Sequence, residues 1–224
     1  MRLIGAFPKL RRLARALALS TVGAAAVEFA IVVPLLVTLM LSGIELANYA
    51  TVQMQVSQIA VSLADNASRL GQTDNSSVTP TITESDVNSI LSGAVRQGAG
   101  INLATNGRVI ISSLEQDPVS GRQWVHWQRC SGNLSNPSTI GAQGAGLTGA
   151  VLTGAGNGSG VVTAPAGSAV MVAEVYYRYQ GMFGTYFVST PVIHRLSAFL
   201  NRDNRNLGTT STAGLSPSGT ASSC

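Results

Sequence analysis

The chain has 224 residues, enough for one domain with an anchor. Charged residues make up 11% and apolar residues 45%, with a positive mean hydropathy, which excludes a disordered acidic or basic tail protein. Of the formal net charge of +4, the segment before Gly23 carries five cations (Arg2, Lys9, Arg11, Arg12, Arg15), so the remainder is slightly acidic and offers no basic patch for nucleic acid. With two Cys and two His at unrelated spacings, no zinc site is expected, and no metal or cofactor is assigned.

In chain order, the basic stretch leads to Gly23 and then to an uncharged run from Phe29 to Ile44. Ala24–Val27 and Leu46–Ala50 extend that run to the length of a membrane span. The cations all precede it and the next one is Arg69, so the N-terminus is expected in the cytoplasm and the rest across the bilayer. A secretory signal is the competing reading, but the apolar run passes into a helical pattern without a clear cleavage site. Pro34 lacks a backbone donor and is expected to kink the helix. Glu28, at the edge of the apolar segment, is costly there unless partnered.

Val52, Val56, Ile59, Leu63, Ala67 and Leu70 recur at spacings of three and four among polar residues, predicting that the helix emerges from the membrane with one apolar face. Gly71 and the polar residues after it stop it. Thr83 caps a second predicted helix to about Gln97, with Ile90, Leu91, Ala94 and Val95 as its apolar face. Arg108–Leu114 and Gln123–Cys130 read as a hairpin around the turn residues Asp117–Gly121. Strict alternation puts Trp124, His126, Gln128 and Cys130 on one face of the second strand and Val125, Trp127 and Arg129 on the other; which face is buried is left open. The uncharged segment 131–168 carries ten Gly between Gly132 and Gly167 and reads as a flexible loop or an apron of small residues. Two further strands, Ala169–Tyr179 and Pro191–Leu200, complete a sheet of about four strands, ended by the charged Asn201–Arg205.

The expected organisation is a leader at 1–23, a transmembrane helix at 24–50, its amphipathic extension at 51–71, an α+β domain at 72–207 and a Ser/Thr/Gly tail at 208–224. That tail should be mobile unless tethered. A Cys130–Cys224 bridge would tether it, closing a loop worth about 4–5 kcal/mol; two unpaired thiols or intersubunit bonds are the alternatives.

The residues Gly23-Ala-Ala-Ala-Val-Glu28-Phe29-Ala-Ile-Val-Val-Pro34, with Gly43-Ile44-Glu45 beyond, resemble the TadE-like minor pseudopilins of the tight-adherence (Tad/Flp) pilus machinery. The close resemblance covers residues 23–49. It implies a pilin-like fold and cleavage by a prepilin peptidase between Gly23 and Ala24. It also implies subunit docking through Glu28 and Phe29. The implied partners are the prepilin peptidase, other pilins and pseudopilins, the inner-membrane assembly platform and the lipid bilayer. A membrane-anchored periplasmic binding module outside any pilus is the alternative.

Other motifs carry less. Gly144-Ala-Gly-Leu-Thr-Gly149 spells a dinucleotide fingerprint but follows no strand. Asp74–Val78 reads as loop. His126 and His194 lie in strand-like runs without a nucleophile signature, so no catalytic residue is assigned. Glu45 is expected at the outer membrane interface, and Trp124, Trp127, Tyr176, Tyr177 and Tyr179 in sheet packing.

Overall fold

The computed structural model describes residues 15–16, 23–71, 79–156, 160–202, 204–207 and 214–224. The sequence signals at Arg2–Arg12, Asp74–Val78 and 208–213 therefore lie outside the described residues. The chain divides into two units, Met1–Ala47 and Asn48–Cys224. The architecture is α+β, with a long N-terminal helix, a shorter second helix and a four-stranded antiparallel sheet.

Helix α1 spans Ala24–Ser68 and continues through Pro34. The hydroxyl of Thr38 donates to the Pro34 carbonyl at 2.8 Å and that of Ser42 to the Leu39 carbonyl at 2.9 Å, so both polar side chains are satisfied within the helix. From Asn48 onward the predicted face is buried: Val52, Val56, Ile59, Leu63 and Ala67, with Ala60 and Ala64 beside them. Gly71 follows, at φ +77°, where an added Cβ would sit 3.2 Å from the Pro80 side chain.

Strand β1 (Ile82–Thr83) leads into α2 (Glu84–Gln97) through a capping box. The Asp86 N–H donates to Thr83 Oγ1 at 3.1 Å and the Thr83 N–H to Asp86 Oδ2 at 3.0 Å. The buried apolar residues are Val87, Leu91 and Ala94, whereas the expected Ile90 and Val95 are only partly covered. A short turn at Ala99–Ile101 and the one-turn helix α3 (Leu103–Asn106) complete the approach to the sheet.

Strands β2 (Gly107–Gln116), β3 (Gln123–Ser131), β4 (Ala169–Arg178) and β5 (Val192–Leu200) lie in the order β3-β2-β4-β5, all antiparallel. The β2–β3 turn is tied by the Ser120 N–H to Asp117 Oδ2 at 2.7 Å. The alternation of β3 reads poorly in sequence because the strand carries a bulge. Ser113 pairs with Trp127, but the next pair is Leu114 with Val125, so His126 is the extra residue. This overturns the strict alternation. Trp127 and Arg129 share the face of Trp124 and His126, while Val125, Gln128 and Cys130 share the other.

Both sheet faces are covered. Val109, Ile111, Trp127, Met171, Ala173, Val175 and Tyr177 form one core with α1 from Val52 onward, α2 and Leu103. On the opposite face, Leu114, Val125, Val170 and Val172 pack on Ile140, Ala155 and Ala164 of the Gly-rich segment. That segment is therefore an apron. Gln123 pins it, donating to the Ala164 carbonyl at 2.8 Å and accepting its N–H at 2.7 Å. At Gly146 the approach is so close that a Cβ would lie 2.2 Å from the Gln123 carbonyl oxygen.

The described part of the tail is held. Strand β6 (Leu215–Ser216) pairs in parallel with β1, the Ser85 N–H donates to the Ser218 carbonyl at 3.0 Å, and Cys130 and Cys224 are bridged with Cα atoms 5.0 Å apart. Beyond β5, Arg205 is buried rather than solvated. Its guanidinium donates to the carbonyls of Ala67 at 3.0 Å and Leu70 at 2.7 Å, in the turn where α1 ends.

Candidate functional site

The first unit holds the candidate site. Helix formation there follows from a segment dominated by Ala, Val, Leu, Ile and Met, with Pro34 the residue that opposes it most and Gly43 the next. Among the described residues nothing covers the result: from Gly23 to Met40 each residue is exposed, except the half-exposed Val33. Phe29 is 70% exposed, Leu35 63% and Met40 64%. So much contiguous apolar surface is unfavourable in water, at about 25 cal/mol per Å². By length and composition this helix is compatible with a single membrane span.

Gly23 and Ala24 are exposed at the start of α1, and Glu28 is exposed one turn later. Among the described residues no ion pair or hydrogen bond engages Glu28. Ala24 and Glu28 are four positions apart, which puts them on one face of the helix. Phe29 projects from the adjacent position. Glu45 is fully buried.

The polar groups of the sheet domain serve its own packing. Glu174 is buried on the apron face. It accepts from the hydroxyl of Ser138, from the N–H and hydroxyl of Thr139 at 3.0 and 2.5 Å, and faces His194 Nε2 at 3.1 Å. Burial opposes its ionisation, but the bonds from His194, Ser138 and Thr139 outweigh burial and hold the carboxyl below its ordinary pKa. The neighbouring Tyr176 stacks on His194 with ring centres 4.3 Å apart. Burial, reinforced by the nearby Glu174 charge, pushes its phenol up to about 12. On the helix face His126 Nδ1 lies 2.8 Å from Glu115 Oε2, and Ser113 donates to the other oxygen at 2.6 Å. Glu84 and Arg129 form a buried pair between α2 and β3, with Nε to Oε2 at 2.8 Å. Neither that pair nor the Arg205 cap has a local sequence signal, because both depend on which elements meet.

Residues 23–64 match the model of a family described as TadE-like protein. The match takes in nearly all of α1, including Gly23, Glu28, Pro34 and the buried face as far as Leu63. It supports a Tad pilus-associated protein. No curated protein and no solved structure matches the chain.

Proposed function

We propose that this chain is a minor pseudopilin or assembly subunit of a bacterial Tad/Flp pilus, made as a precursor and cut by a prepilin peptidase between Gly23 and Ala24. The observation that carries this reading is the uncovered apolar helix with an unpaired carboxylate one turn inside a TadE-like segment. The basic leader lies on the cytoplasmic side and the sheet domain in the periplasm. Cleavage leaves the helix on the mature chain and creates an ammonium at Ala24. Glu28 is one turn away and can pair with that ammonium or with a neighbouring subunit's. An unpaired carboxylate costs about 2.5–3.5 kcal/mol at the centre of a membrane helix and less toward its end, where Glu28 lies, so assembly is favoured in the register that pairs it. Phe29 and the following apolar residues pack on other pilins and pseudopilins and on the inner-membrane assembly platform, and Pro34 adjusts the helix path. The role is one of packing in pilus biogenesis and adhesion, without catalysis.

The test is the N-terminal residue of the chain recovered from membranes that contain prepilin peptidase. Wild type should begin at Ala24 and Gly23→Trp should stay intact. Glu28→Ala should be cut normally yet fail to enter the pilus fraction. A wild-type chain beginning at Met1 overturns the reading and leaves a membrane-anchored periplasmic module.

A further inference from the structure

The two edges of the sheet are treated differently. On the β3 edge the Val125 N–H donates to Ala145 at 2.9 Å, its carbonyl accepts from Gly144 at 2.7 Å, and the Cys130 N–H donates to Ser222 at 2.8 Å. Apron and tail therefore cover that edge. On β5 the bonds at both ends settle which groups face inward. The Pro191 carbonyl accepts from Tyr179 at 3.0 Å and the Asn201 N–H donates to Ala169 at 2.8 Å. The β4–β5 register between them is unbroken. Alternate residues of an antiparallel strand direct their backbone groups to the same side. Residues 191, 193, 195, 197, 199 and 201 therefore face β4, and Val192, His194, Leu196, Ala198 and Leu200 direct their N–H and carbonyl groups outward. Among the described residues one side-chain bond meets this row: Arg195 donates to the His194 carbonyl at 3.0 Å and, with its other terminal nitrogen, to Gln53 Oε1 at 2.8 Å.

We infer that the β5 edge docks an extended segment of a partner protein, added as a fifth strand, with a carboxylate that engages Arg195. Three observations converge. The row of outward backbone groups, which among the described residues is met only at the His194 carbonyl, is the template for strand addition. The half-buried Arg195 guanidinium has two neutral acceptors and, among the described residues, no carboxylate. The described charges along the edge are Arg178, Arg195 and Arg202 against two carboxylates that are already engaged, Asp65 by Arg202 and Arg69 and the buried Glu174 by His194, Ser138 and Thr139. Arg195 guards the edge by occupying the His194 carbonyl. A carboxylate on the incoming strand draws the guanidinium away and frees that carbonyl, so acidic strands are selected over others. The apron-side row Val192, Leu196, Ala198 and Leu200 asks for apolar side chains on that side of the partner. On the helix side a groove of about 630 Å³ beside Phe199, lined also by Met54, Val61 and Gln97, receives a side chain of the added strand.

The probe is a fluorescent peptide, Thr-Val-Thr-Val-Glu-Val-Thr-Val-Thr, and its twin with Lys at the centre, each titrated against the full chain in detergent. The Glu peptide should bind, protect the amides of His194, Leu196 and Ala198 from hydrogen exchange, and exceed the Lys peptide about tenfold in affinity. Ala198→Pro removes an outward N–H while sparing the ladder to β4, so it should abolish binding with the fold kept. Arg195→Gln, which retains the side-chain bonding and needs no backbone change, should narrow the Glu-to-Lys ratio to below about twofold. Absence of β5 protection at saturating peptide, or equal affinities for the two peptides with Arg195 present, overturns the inference. Neither readout depends on cleavage at Gly23, so this proposal and the pilus reading fail separately.

Discussion

Between Ala24 and Met40 the side chains of α1 lie open, whereas between Val52 and Ala67 seven side chains of the same helix are buried. The backbone conformation is the same in both stretches. What differs is pattern: the first is apolar on all sides, the second on one. A helix apolar all round needs an apolar surrounding, and here the chain does not supply it. Local sequence makes both stretches helical, while the pattern around the helix decides which of them the domain can bury.

The sharpest challenge to this contrast is to loosen the covered region. Cys130→Ser should cost the sheet domain about 4–5 kcal/mol, because it opens a loop with a sequence separation of 94. Denaturant unfolding of the full chain reads this, and an unchanged midpoint would mean that the bridge does not hold the domain. Next in size is a matched pair within α1. Leu63→Ala leaves a cavity in a core where Leu63 is 2% exposed and should cost about 2–5 kcal/mol. Leu36→Ala, at a residue 54% exposed, should stay within about 0.5 kcal/mol in detergent. Equal costs would erase the distinction between the stretches.

Glu174→Gln sharpens the comparison from the apron side. It weakens the hold on Ser138, Thr139 and His194 and should cost about 1–3 kcal/mol at neutral pH. Its folded pKa is depressed, so its contribution is fully present above the ordinary carboxylate pKa of about 4.3 and is lost as pH falls through the lower folded value. The wild-type-minus-variant difference in stability should therefore shrink on acidification; a difference that grows would contradict the assignment. The smallest effect expected is about 1 kcal/mol for Thr83→Ala, which deletes the α2 cap, seen as a lowered thermal midpoint.

Much of this architecture could be read directly from residue order. The helical period from Val52 to Ala67, the Thr83 cap, the Asp117–Gly121 turn and the strand runs are local signals, each completed within a few residues. The candidate site is legible for the same reason: Gly23, Glu28, Phe29 and Pro34 lie in one short contiguous stretch, within the segment that matches the TadE-like model. The face assignment of β3 was not legible, since a one-residue bulge at His126 is visible only against its partner strand. Nor did the small residues of 131–168 announce a packed apron. Gly permits close approach but does not name what is approached, and the contacts of Gln123 with Ala164 span 41 positions.

The sequence by itself determined the helices, the strands and the uncovered apolar segment, because propensity, periodicity and charge act between near neighbours. The tertiary structure alone decided the rest. It brought Glu84 to Arg129, Glu174 to Ser138 and His194, and Arg205 to the end of α1. It also left β5 as the sheet edge without a covering segment among the described residues. Such pairings depend on which surfaces meet when the layers pack, and no short-range pattern encodes that meeting.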